Sequence, residues 1–313
     1  MLLSVEGLTI EAGGSRPILR EVSLSVGQGE IVGLVGESGS GKSTIARSVL
    51  RLLPQHARVS GRVLVEGDDV LTMDPGALRN LRASRVSMIY QDPRSSLNPV
   101  RRIGDFLTER MVHTLGRSKA EARARALELL TAVGMREPEL RLRQYPHELS
   151  GGMLQRVVIA AALAADPALL LADEATSALD VTTQAETLAL LRKVQSERGL
   201  GMLFITHDLH LAAAFCDRVH VLYAGTVVES RPAKELFDDP RHPYTAGLLA
   251  CTPDLADPRP IQPIPGRPPS LDDVFDGCPF APRCPHAADV CLTGRPEPVT
   301  VAGGSAACHL VEV

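Results

Sequence analysis

The sequence predicts an α/β fold that contains a parallel β-sheet. Three short apolar runs, at Ile31–Val35, 169–172 and 202–206, have the length of strands and are bounded by glycine, proline or polar turn residues. Continuous apolar runs of this length are typical of parallel strands that are buried on both faces. Helical patterns lie between the runs, and this alternation of strands with helices indicates an α/β sheet.

The helices are predicted from the spacing of their apolar residues. In the first, over residues 44–53, Ile45, Val49 and Leu52 fall on one stripe. Pro54 is expected to end this helix, because proline cannot continue it. Further helices are predicted at 118–133, 155–165 and 182–197, and a β-hairpin, interrupted by Ala-Gly, at 219–229.

Composition indicates a globular chain without membrane-spanning segments. Of its 313 residues, 44% are apolar and 22% are charged, which is ordinary for a globular protein. The longest apolar run, at 157–165, has nine residues, whereas a spanning helix needs about twenty. Glu6 interrupts the apolar N-terminus, which has no basic lead, so we expect no secretory signal. A cytosolic location is predicted unless a partner holds the chain elsewhere.

Charge is unevenly distributed along the chain. The formal net charge is −4, from 33 basic and 37 acidic residues, yet residues 79–143 contain 14 basic and 7 acidic residues. Such a basic block is compatible with a nucleic-acid surface. The chain has no Trp, four Tyr and six Phe, which leaves little aromatic surface for stacking on bases. We therefore expect solvated arginine-rich helices and no nucleic-acid partner.

A glycine-rich segment between the first predicted strand and helix has the sequence of a phosphate-binding loop. Residues 36–43 match the pattern G-x-x-x-x-G-K-[ST]. Glycines let the backbone wrap round a polyphosphate, and the following helix N-terminus adds partial positive charge. Lys42 is expected to reach the β- and γ-phosphates, and Ser43 to ligate Mg²⁺. The predicted binding residues are Gly36, Glu37, Ser38, Gly39, Ser40, Gly41, Lys42, Ser43 and Thr44.

Two acidic residues stand at the end of the second apolar run, where open α/β sheets bind ligands. Asp173 is placed to hold Mg²⁺, directly or through water. Glu174, one residue on, is expected to point to the opposite side and to act as general base on an attacking water. Acids also end strands as helix caps, so this pair alone does not decide between the two roles.

Further short motifs follow in a fixed order. Gln91 lies 49 residues after the loop lysine, and Leu-Ser-Gly-Gly-Met-Leu-Gln-Arg occupies residues 149–156. Ser-Ala-Leu-Asp follows the acidic pair at 177–180, and His207 ends the third predicted strand. Together these motifs resemble the ATP-binding cassette ATPases, whose signature is the 149–156 stretch, and the resemblance covers about residues 1–230.

The resemblance implies a domain organisation and an assembly. A RecA-like nucleotide-binding core with an antiparallel β subdomain is expected at 1–91 and 166–230, and a helical subdomain with the signature at 92–165. ATP with Mg²⁺ is expected between the phosphate loop of one subunit and the signature of the other in a head-to-tail dimer. The helix start at the signature suits this role, because backbone amides there form an anion site.

The resemblance also implies a role for each matching residue. The catalytic residues are expected to be Glu174, His207, Gln91 and Lys42. The magnesium ligands are expected to be Ser43, Gln91 and Asp173. Contacts to the ATP of the facing subunit are expected from Ser150, Gly151, Gly152 and Gln155, and Asp180 is expected at the dimer interface.

One feature of the family is missing. Cassettes usually carry an aromatic residue that stacks on adenine about two dozen residues before the phosphate loop, and Ala12 is the best alignment to that position. Ile18 or Arg16 is the expected partial substitute. We expect weaker or less base-selective binding, and no loss of hydrolysis.

More specific stretches indicate the kind of cassette. Residues 91–99, 145–150 and 242–245 look like those of the ATPase subunits of oligopeptide/dipeptide importers, whose relatives also carry nickel or glutathione. That resemblance implies two transmembrane permease subunits, an extracytoplasmic substrate-binding protein and a second, homologous ATPase subunit. It places the chain at the cytoplasmic face of the membrane, with residues 145–148 near the coupling helix of the permease.

The C-terminal extension, at 231–313, has a different composition. Fifteen of the 23 prolines lie between residues 232 and 298, so we expect an extended segment ordered by something other than a large core. It contains Cys278, Cys284, Cys291 and Cys308, separated by five, six and sixteen residues.

Disulfides between these cysteines are disfavoured in a reducing compartment, and no C-x-x-C pair of the zinc-ribbon kind is present. Four thiolates suit an iron–sulfur cluster, and the family resemblance indicates [4Fe-4S]. Zinc and unligated thiols remain alternatives, with His286 and His309 as substitute ligands. Cys216 and Cys251 each follow an apolar helical stretch and are predicted to be core residues.

Two other functions compete with an importer ATPase. A soluble cassette acting on nucleic acid or ribosomes would carry duplicated cassettes or long inserted coiled coils, and 313 residues leave no room for either. A regulatory module that binds nucleotide without hydrolysis is disfavoured by the intact residues Lys42, Asp173, Glu174 and His207.

Overall fold

The structure, a computed structural model, describes residues 1–13, 16–177, 179–251, 262–270 and 273–311, with the side chain of Arg16 excepted. The chain forms two compact units. Unit 1 contains residues 1–71 and 204–313, and unit 2 contains residues 72–203.

Strands and helices alternate along the chain. The strands are β1 (Leu3–Ala12), β2 (Arg16–Val26), β3 (Ile31–Val35), β4 (Arg58–Val65), β5 (Asp68–Asp69), β6 (Val86–Ile89), β7 (Leu169–Asp173), β8 (Gly201–Thr206), β9 (Arg218–Tyr223), β10 (Thr226–Pro232), β11 (Val299–Val301) and β12 (Gly304–Ala306). The helices are α1 (Lys42–Val49), α2 (Pro75–Asn80), α3 (Ile103–His113), α4 (Lys119–Ala132), α5 (Pro138–Arg143), α6 (Gly151–Ala162), α7 (Val181–Arg198), α8 (Leu209–Phe215), α9 (Ala233–Asp238), α10 (Pro243–Cys251) and α11 (Asp289–Thr293). None of the helices in the described ranges is both long and apolar enough to cross a bilayer.

Unit 1 contains the antiparallel β subdomain that the fold class predicts. Its strands pair in the order β2-β1-β4-β5. Val5 of β1 lies opposite Leu24 of β2 and Val63 of β4. All three side chains are buried, so alternate residues of these strands form one apolar face.

A second sheet in unit 1 places the phosphate loop. β3 is buried along its whole length and runs parallel to β9. The chain turns from β9 into β10 through Ala224 and Gly225, whose φ angles are 47° and 77°. Left-handed angles at both positions are what a two-residue hairpin requires, and the predicted hairpin is confirmed. The short strands β12 and β11 continue this sheet beyond β10.

In unit 2, β6 and β7 pair in parallel, with Ile89 opposite Ala172. β7 and β8 occupy the second and third predicted apolar runs, and every residue of both strands is buried. β8 passes from unit 2 into unit 1 between residues 203 and 204. Buried strands are thus confirmed at all three runs.

The middle helices begin at capping residues. The Ser118 hydroxyl accepts a hydrogen bond from the Glu121 N–H, and the Glu121 carboxylate accepts one from the Ser118 N–H. This reciprocal cap fixes the start of α4 where it was predicted. α6 begins at Gly151 rather than at residue 155, because Ser150 caps it by accepting from the Met153 N–H. α7 matches its predicted span within one residue at each end.

α1 ends at Val49, so the prediction that Pro54 ends it is wrong. Arg51 has a left-handed backbone with φ of 48°, and its N–H donates to the Ser48 carbonyl at 2.8 Å. Such a bond satisfies a terminal carbonyl and closes the last turn. Val49 is buried as predicted, whereas Leu52 lies beyond the helix and is 43% exposed.

The C-terminal part is more structured than the composition predicts. α9 and α10 lie in it, and Ala306 of β12 pairs with Glu229 of β10. Tyr244 and Phe280 are buried, and their ring centroids lie 4.5 and 5.3 Å from that of Tyr223. The expectation of an extended segment is therefore wrong, because helices and short strands form in it. A small aromatic cluster rather than a large core helps to order it.

The two remaining cysteines differ. Cys216 is buried beside Gly33, as predicted for a core residue. Cys251 is only half-buried at the end of α10, and its thiol donates to the Gln262 carbonyl at 3.1 Å. The core prediction is therefore wrong for Cys251.

Candidate functional site

The phosphate loop in unit 1 connects β3 to α1 through glycines with unusual backbone angles. The φ angles of Gly36, Gly39 and Gly41 are 153°, 82° and 105°, values that other residues adopt only with strain. A Cβ atom at Gly36 would also collide with the Leu222 carbonyl oxygen. The loop can therefore turn tightly between strand and helix only with glycine at these positions.

The loop closes around its own lysine. Lys42 is 5% exposed, and its ammonium donates to the carbonyl oxygens of Gly36 at 2.7 Å and Glu37 at 2.8 Å. The positive charge is thus held inside the loop, next to the N-terminus of α1. A cation and a helix N-terminus in one place form an anion-binding arrangement.

Glu37 has partners that sequence reasoning missed. Its carboxylate accepts two hydrogen bonds from the guanidinium of Arg283, at 2.7 and 3.0 Å. Its backbone N–H donates to the Tyr244 hydroxyl at 2.9 Å. No local pattern signals these contacts, because the partners lie more than 200 positions further along the chain.

In unit 2, two of the predicted catalytic residues come together. Asp173 is the last residue of β7 and is 5% exposed. Glu174 follows with a left-handed φ of 48°, which redirects the chain away from the strand. The Glu174 Oε2 atom accepts a hydrogen bond of 2.7 Å from the Nε2 atom of Gln91. A neutral amide orients the carboxylate without adding a charge that would neutralise it.

The signature stretch forms the N-terminus of α6. Ser150 is its cap, and Gly151 and Gly152 are its first helical residues. The first amides of a helix have no partner within it and favour an anion. Gln155, predicted with these residues, lies in the interior of unit 2 instead, 1% exposed, and its Nε2 atom donates to the Ala175 carbonyl at 2.7 Å.

His207 and Asp180 lie in different units. His207 follows β8 in unit 1 and is exposed. Asp180 caps α7 in unit 2, accepting from the Thr183 N–H at 3.0 Å and its hydroxyl at 2.8 Å. These bonds lower the pKa of the Asp180 carboxyl. Residue 178 of the motif at 177–180 lies outside the described residues.

The position expected to contact adenine holds no aromatic ring. Ala12 is half-buried at the end of β1, and Ile18 is half-buried in β2. The side chain of Arg16, the other expected substitute, lies outside the described residues.

The four C-terminal cysteines are gathered but not tightly assembled. The Cys278 N–H donates to the Cys291 carbonyl at 2.8 Å. The pKa values of the Cys278, Cys284 and Cys308 thiols are raised, first by burial and also by the charges of the other cysteines. Among the described residues, no three His, Cys, Asp or Glu side chains converge closely enough to hold a metal ion.

Comparison with known proteins agrees with this arrangement. Residues 19–177 match the sequence model of the ABC transporter family. Residues 228–291 match that of the oligopeptide/dipeptide transporter C-terminal region.

Curated relatives named OppD occur in several bacteria. The chain is 48% identical over 299 residues to the oligopeptide transport ATP-binding protein OppD of Mycobacterium tuberculosis, covering 94% of this chain and 49% of that protein. It therefore spans about half the length of its mycobacterial relatives. With OppD of Escherichia coli K12 the identity is 43% over 311 residues, covering 98% and 92% of the two chains.

Solved structures share the fold. CbiO1 of Clostridium perfringens, part of the ABC transporter complex CbiONQ, has a TM-score of 0.68 and 27% identity, covering 76% of this chain and 91% of that chain. MJ0796, a bacterial ABC transporter cassette solved as a dimer, has a TM-score of 0.65 and 30% identity, covering 74% and 98%. The motifs, the fold and these relatives together show that the chain belongs to the ABC transporter family, within its group of oligopeptide/dipeptide transport ATP-binding proteins.

Proposed function

We propose that the chain is the ATP-hydrolysing subunit of an ABC importer for oligopeptides or dipeptides. The observation that carries the proposal is the hydrogen bond from Gln91 Nε2 to Glu174 Oε2. It orients a carboxylate at a strand end, as a general base requires. It also ties that carboxylate to the segment that leads into the helices of unit 2.

In this proposal the phosphate loop binds Mg²⁺-ATP. Lys42 and the loop amides contact the phosphates, and Ser43, Gln91 and Asp173 hold the Mg²⁺. Glu174 takes the proton of the attacking water, and His207 contacts the γ-phosphate. The inward position of the Lys42 ammonium supports this assignment, because the cation is already placed within the loop.

We propose that each ATP is completed by a second, homologous ATPase subunit. Ser150, Gly151 and Gly152 would supply the facing anion site from the start of α6, and Asp180 would act at the interface. The dimeric state of the MJ0796 cassette supports this assembly. It also explains why the chain carries two anion-binding helix starts.

The proposed complex includes two permease subunits and an extracytoplasmic substrate-binding protein, with this chain at the cytoplasmic face of the membrane. A groove of about 610 Å³ in unit 2 supports permease docking. Tyr90, Phe106 and Val158 line it, and Tyr90 is the neighbour of Gln91. The names of the OppD relatives favour peptides as cargo over nickel or glutathione.

The basic block does not favour a nucleic-acid function. Arg125 pairs with Asp166, and Arg156, just beyond the block, pairs with Glu186 at 2.6 Å. The Arg110 guanidinium donates to the carbonyls of Ala83 and Arg82, at 2.9 and 3.0 Å. Such arginines serve the folding of unit 2 and present less free charge to a phosphate backbone.

The test of the ATPase assignment is Glu174→Gln. We expect turnover to fall by at least about 100-fold, while ATP binding persists and the ATP-bound dimer lasts longer. Phosphate release gives the rate, and gel filtration with ATP gives the dimer. The matched control is Glu197→Gln, an exposed carboxylate of the same unit, which should hydrolyse ATP normally. Wild-type turnover in Glu174→Gln contradicts the general-base role.

We further propose that Cys278, Cys284, Cys291 and Cys308 hold a [4Fe-4S] cluster. Support comes from the four thiols of this segment, three of them half-buried and that of Cys291 buried, whose charges act on one another. The cluster would supply ordering energy to a proline-rich segment. Protein purified without oxygen should contain iron and acid-labile sulfide, and Cys284→Ser should lose both. Cys251→Ser is the control. Stoichiometric zinc, or no metal at all, contradicts the cluster.

A further inference from the structure

Two C-terminal motifs have no role in the proposed ATPase chemistry. They are His-Pro-Tyr-Thr at 242–245 and Cys-Pro-Phe-Ala-Pro-Arg-Cys at 278–284. Both send one side chain to the same residue, Glu37, the second residue of the phosphate loop.

Arg283 reaches Glu37 in a two-pronged ion pair. One guanidinium nitrogen donates to Oε2 at 2.7 Å and the other to Oε1 at 3.0 Å. The Arg283 side chain is 6% exposed and that of Glu37 is 23% exposed. The Nε atom of Arg283 donates to the Pro265 carbonyl at 2.9 Å. Two parallel charge-assisted hydrogen bonds fix the orientation of the guanidinium and the carboxylate. Because both side chains are largely buried, salt screens this pair less than it screens a surface pair.

Tyr244 holds the backbone of the same residue. Its hydroxyl accepts the Glu37 N–H at 2.9 Å. The ring is fully buried and packs against Tyr223 and Phe280. The Tyr244 N–H donates to the Nδ1 atom of His242, which anchors the start of α10. The hydroxyl therefore has one position and acts as a fixed acceptor.

Glu37 is consequently held at three points. Its carboxylate is bound by Arg283, its N–H by Tyr244 and its carbonyl by the Lys42 ammonium. A carboxylate in a loop that receives a triphosphate repels it, because like charges a few ångströms apart are strongly unfavourable where water is partly excluded. Arg283 neutralises this charge. Its two hydrogen bonds also restrict the movement of the Glu37 carboxylate.

We propose that Arg283 and Tyr244 are positioning residues that set the phosphate loop for ATP through Glu37. The C-terminal extension is then part of the nucleotide-binding machinery of unit 1. It acts on affinity, because its contacts fix the loop before ATP arrives and do not take part in bond cleavage. The inference rests on the proposed binding of ATP at this loop.

The same extension contains a matched control. Arg267 forms a two-pronged pair with Asp273 at 2.9 and 2.8 Å. This pair has the same geometry, but the Arg267 side chain is 69% exposed. Among the described contacts neither residue has a hydrogen bond or ion pair to the phosphate loop, and Asp273 only shares a cavity wall with Gly39. Removing Arg267 tests the loss of an arginine fork from the extension without changing Glu37.

The experiment measures ATP affinity of the full chain by calorimetric titration with Mg²⁺-ATP. Arg283→Ala should raise the Kd by about tenfold or more, because it leaves the Glu37 carboxylate unpaired. Arg283→Lys should recover part of this loss, since it restores charge without the fork. Tyr244→Phe removes one acceptor only and should raise the Kd by about threefold. Arg267→Ala should bind as the wild type does.

A double-mutant cycle decides whether Glu37 carries the effect. In a Glu37→Gln background the repelling charge is gone. The increase in log Kd that Arg283→Ala causes there should be less than about half of the increase that it causes in the wild type. In steady-state hydrolysis, Arg283→Ala should raise KM for ATP while kcat at saturating ATP stays within about twofold. A purely structural role would lower thermal stability and kcat without this split.

Several outcomes overturn the proposal. One is equal ATP affinity of folded Arg283→Ala and Arg267→Ala; another is an unchanged effect of Arg283→Ala in the Glu37→Gln background. Where Arg283→Ala does not fold, Tyr244→Phe decides, and wild-type affinity in that variant refutes the inference. A wild-type chain that does not bind ATP at all contradicts the proposed function instead, so the two failures are distinguishable.

Discussion

The phosphate loop, residues 36–43, and the C-terminal segment, described over residues 262–270 and 273–311, are both built from residues that disfavour regular structure. In the loop, the backbone angles of its glycines and the inward ammonium of Lys42 define the turn within eight residues, and distant residues hold Glu37 in addition. In the C-terminal segment, Phe280 and Arg283 define it by contacts to residues far away in the chain.

The loop and the segment differ in the side chains that their conformations require. The loop needs the absence of side chains, because a Cβ at Gly36 collides with the Leu222 carbonyl. The segment needs large side chains, because its backbone forms only short helices and strands and the buried rings supply its core. Adding a carbon atom should therefore damage the loop, and removing carbon atoms should damage the segment.

The largest effect is expected from emptying the aromatic core. Phe280 is 2% exposed, and its ring centroid lies 5.3 Å from those of Tyr223 and Tyr244. Phe280→Ala should lower the free energy of unfolding of the C-terminal segment by about 3–5 kcal/mol, as for other buried aromatics. Urea titration combined with limited proteolysis measures this loss.

The matched control is Leu292→Ala, a 59% exposed apolar residue of the same segment, which should change stability by less than about 0.5 kcal/mol. Equal proteolysis of the segment in Phe280→Ala and in the wild type contradicts an aromatic core. It also contradicts the claim that the segment requires large side chains.

The next effect comes from adding one carbon to the loop. Gly36→Ala places a methyl group against the Leu222 carbonyl at a φ of 153°, and should lower the free energy of unfolding by about 2–4 kcal/mol. Gly39→Ala is the control, since its Cβ meets no atom within 4 Å and only its φ of 82° is strained. It should cost about 1–2 kcal/mol. Similar losses in both variants contradict the role of the collision.

Local features of the molecule were predictable, and long-range ones were not. The buried strands, the hairpin at Ala224 and Gly225 and the capped start of α4 follow from residues close in sequence. The end of α1 was missed because it depends on one left-handed residue, Arg51, rather than on the proline. Backbone angles at single non-glycine residues leave no clear sequence signal.

In the candidate site, too, local features were predictable and long-range contacts were not. Lys42 and the motif residues could be predicted to form a phosphate site, because phosphate binding needs fixed residue types at fixed spacing. The burial of Gln155, the Gln91–Glu174 hydrogen bond and the Glu37–Arg283 pair could not, because each joins residues whose proximity is created by folding. The aromatic core escaped prediction for this reason too, as its rings come from three separate segments.

Acid pH should destabilise the region where the C-terminal segment meets the sheet. His220 lies in β9 opposite Leu34 of β3 and Ser230 of β10, and is 3% exposed. Neither ring nitrogen has a hydrogen-bond partner in the described part of the chain. Burial, aided by the charge of Arg218, lowers the pKa of His220 to about 3. Burial likewise lowers the pKa of His242 to about 4.

The sign of the stability change follows from these pKa values. An unfolded histidine has a pKa of about 6.5, so below that pH the unfolded chain binds protons that the folded chain excludes. The free energy of unfolding should then fall as pH falls, by about 2 kcal/mol per buried histidine between pH 7 and pH 5. His220→Leu should remove about half of this slope, because His242 remains, and urea titrations across that range measure it.

His56→Gln, which changes an exposed histidine of unit 1, should leave the slope unchanged. If His220→Leu retains the full slope, the acid sensitivity lies elsewhere and the buried ring is satisfied by a partner such as water. If the slope is halved while proteolysis at pH 5 cuts the C-terminal segment first, the weak point is this junction. The phosphate loop should then lose the Glu37–Arg283 pair as well, so its own protection from cleavage should fall together with that of the segment.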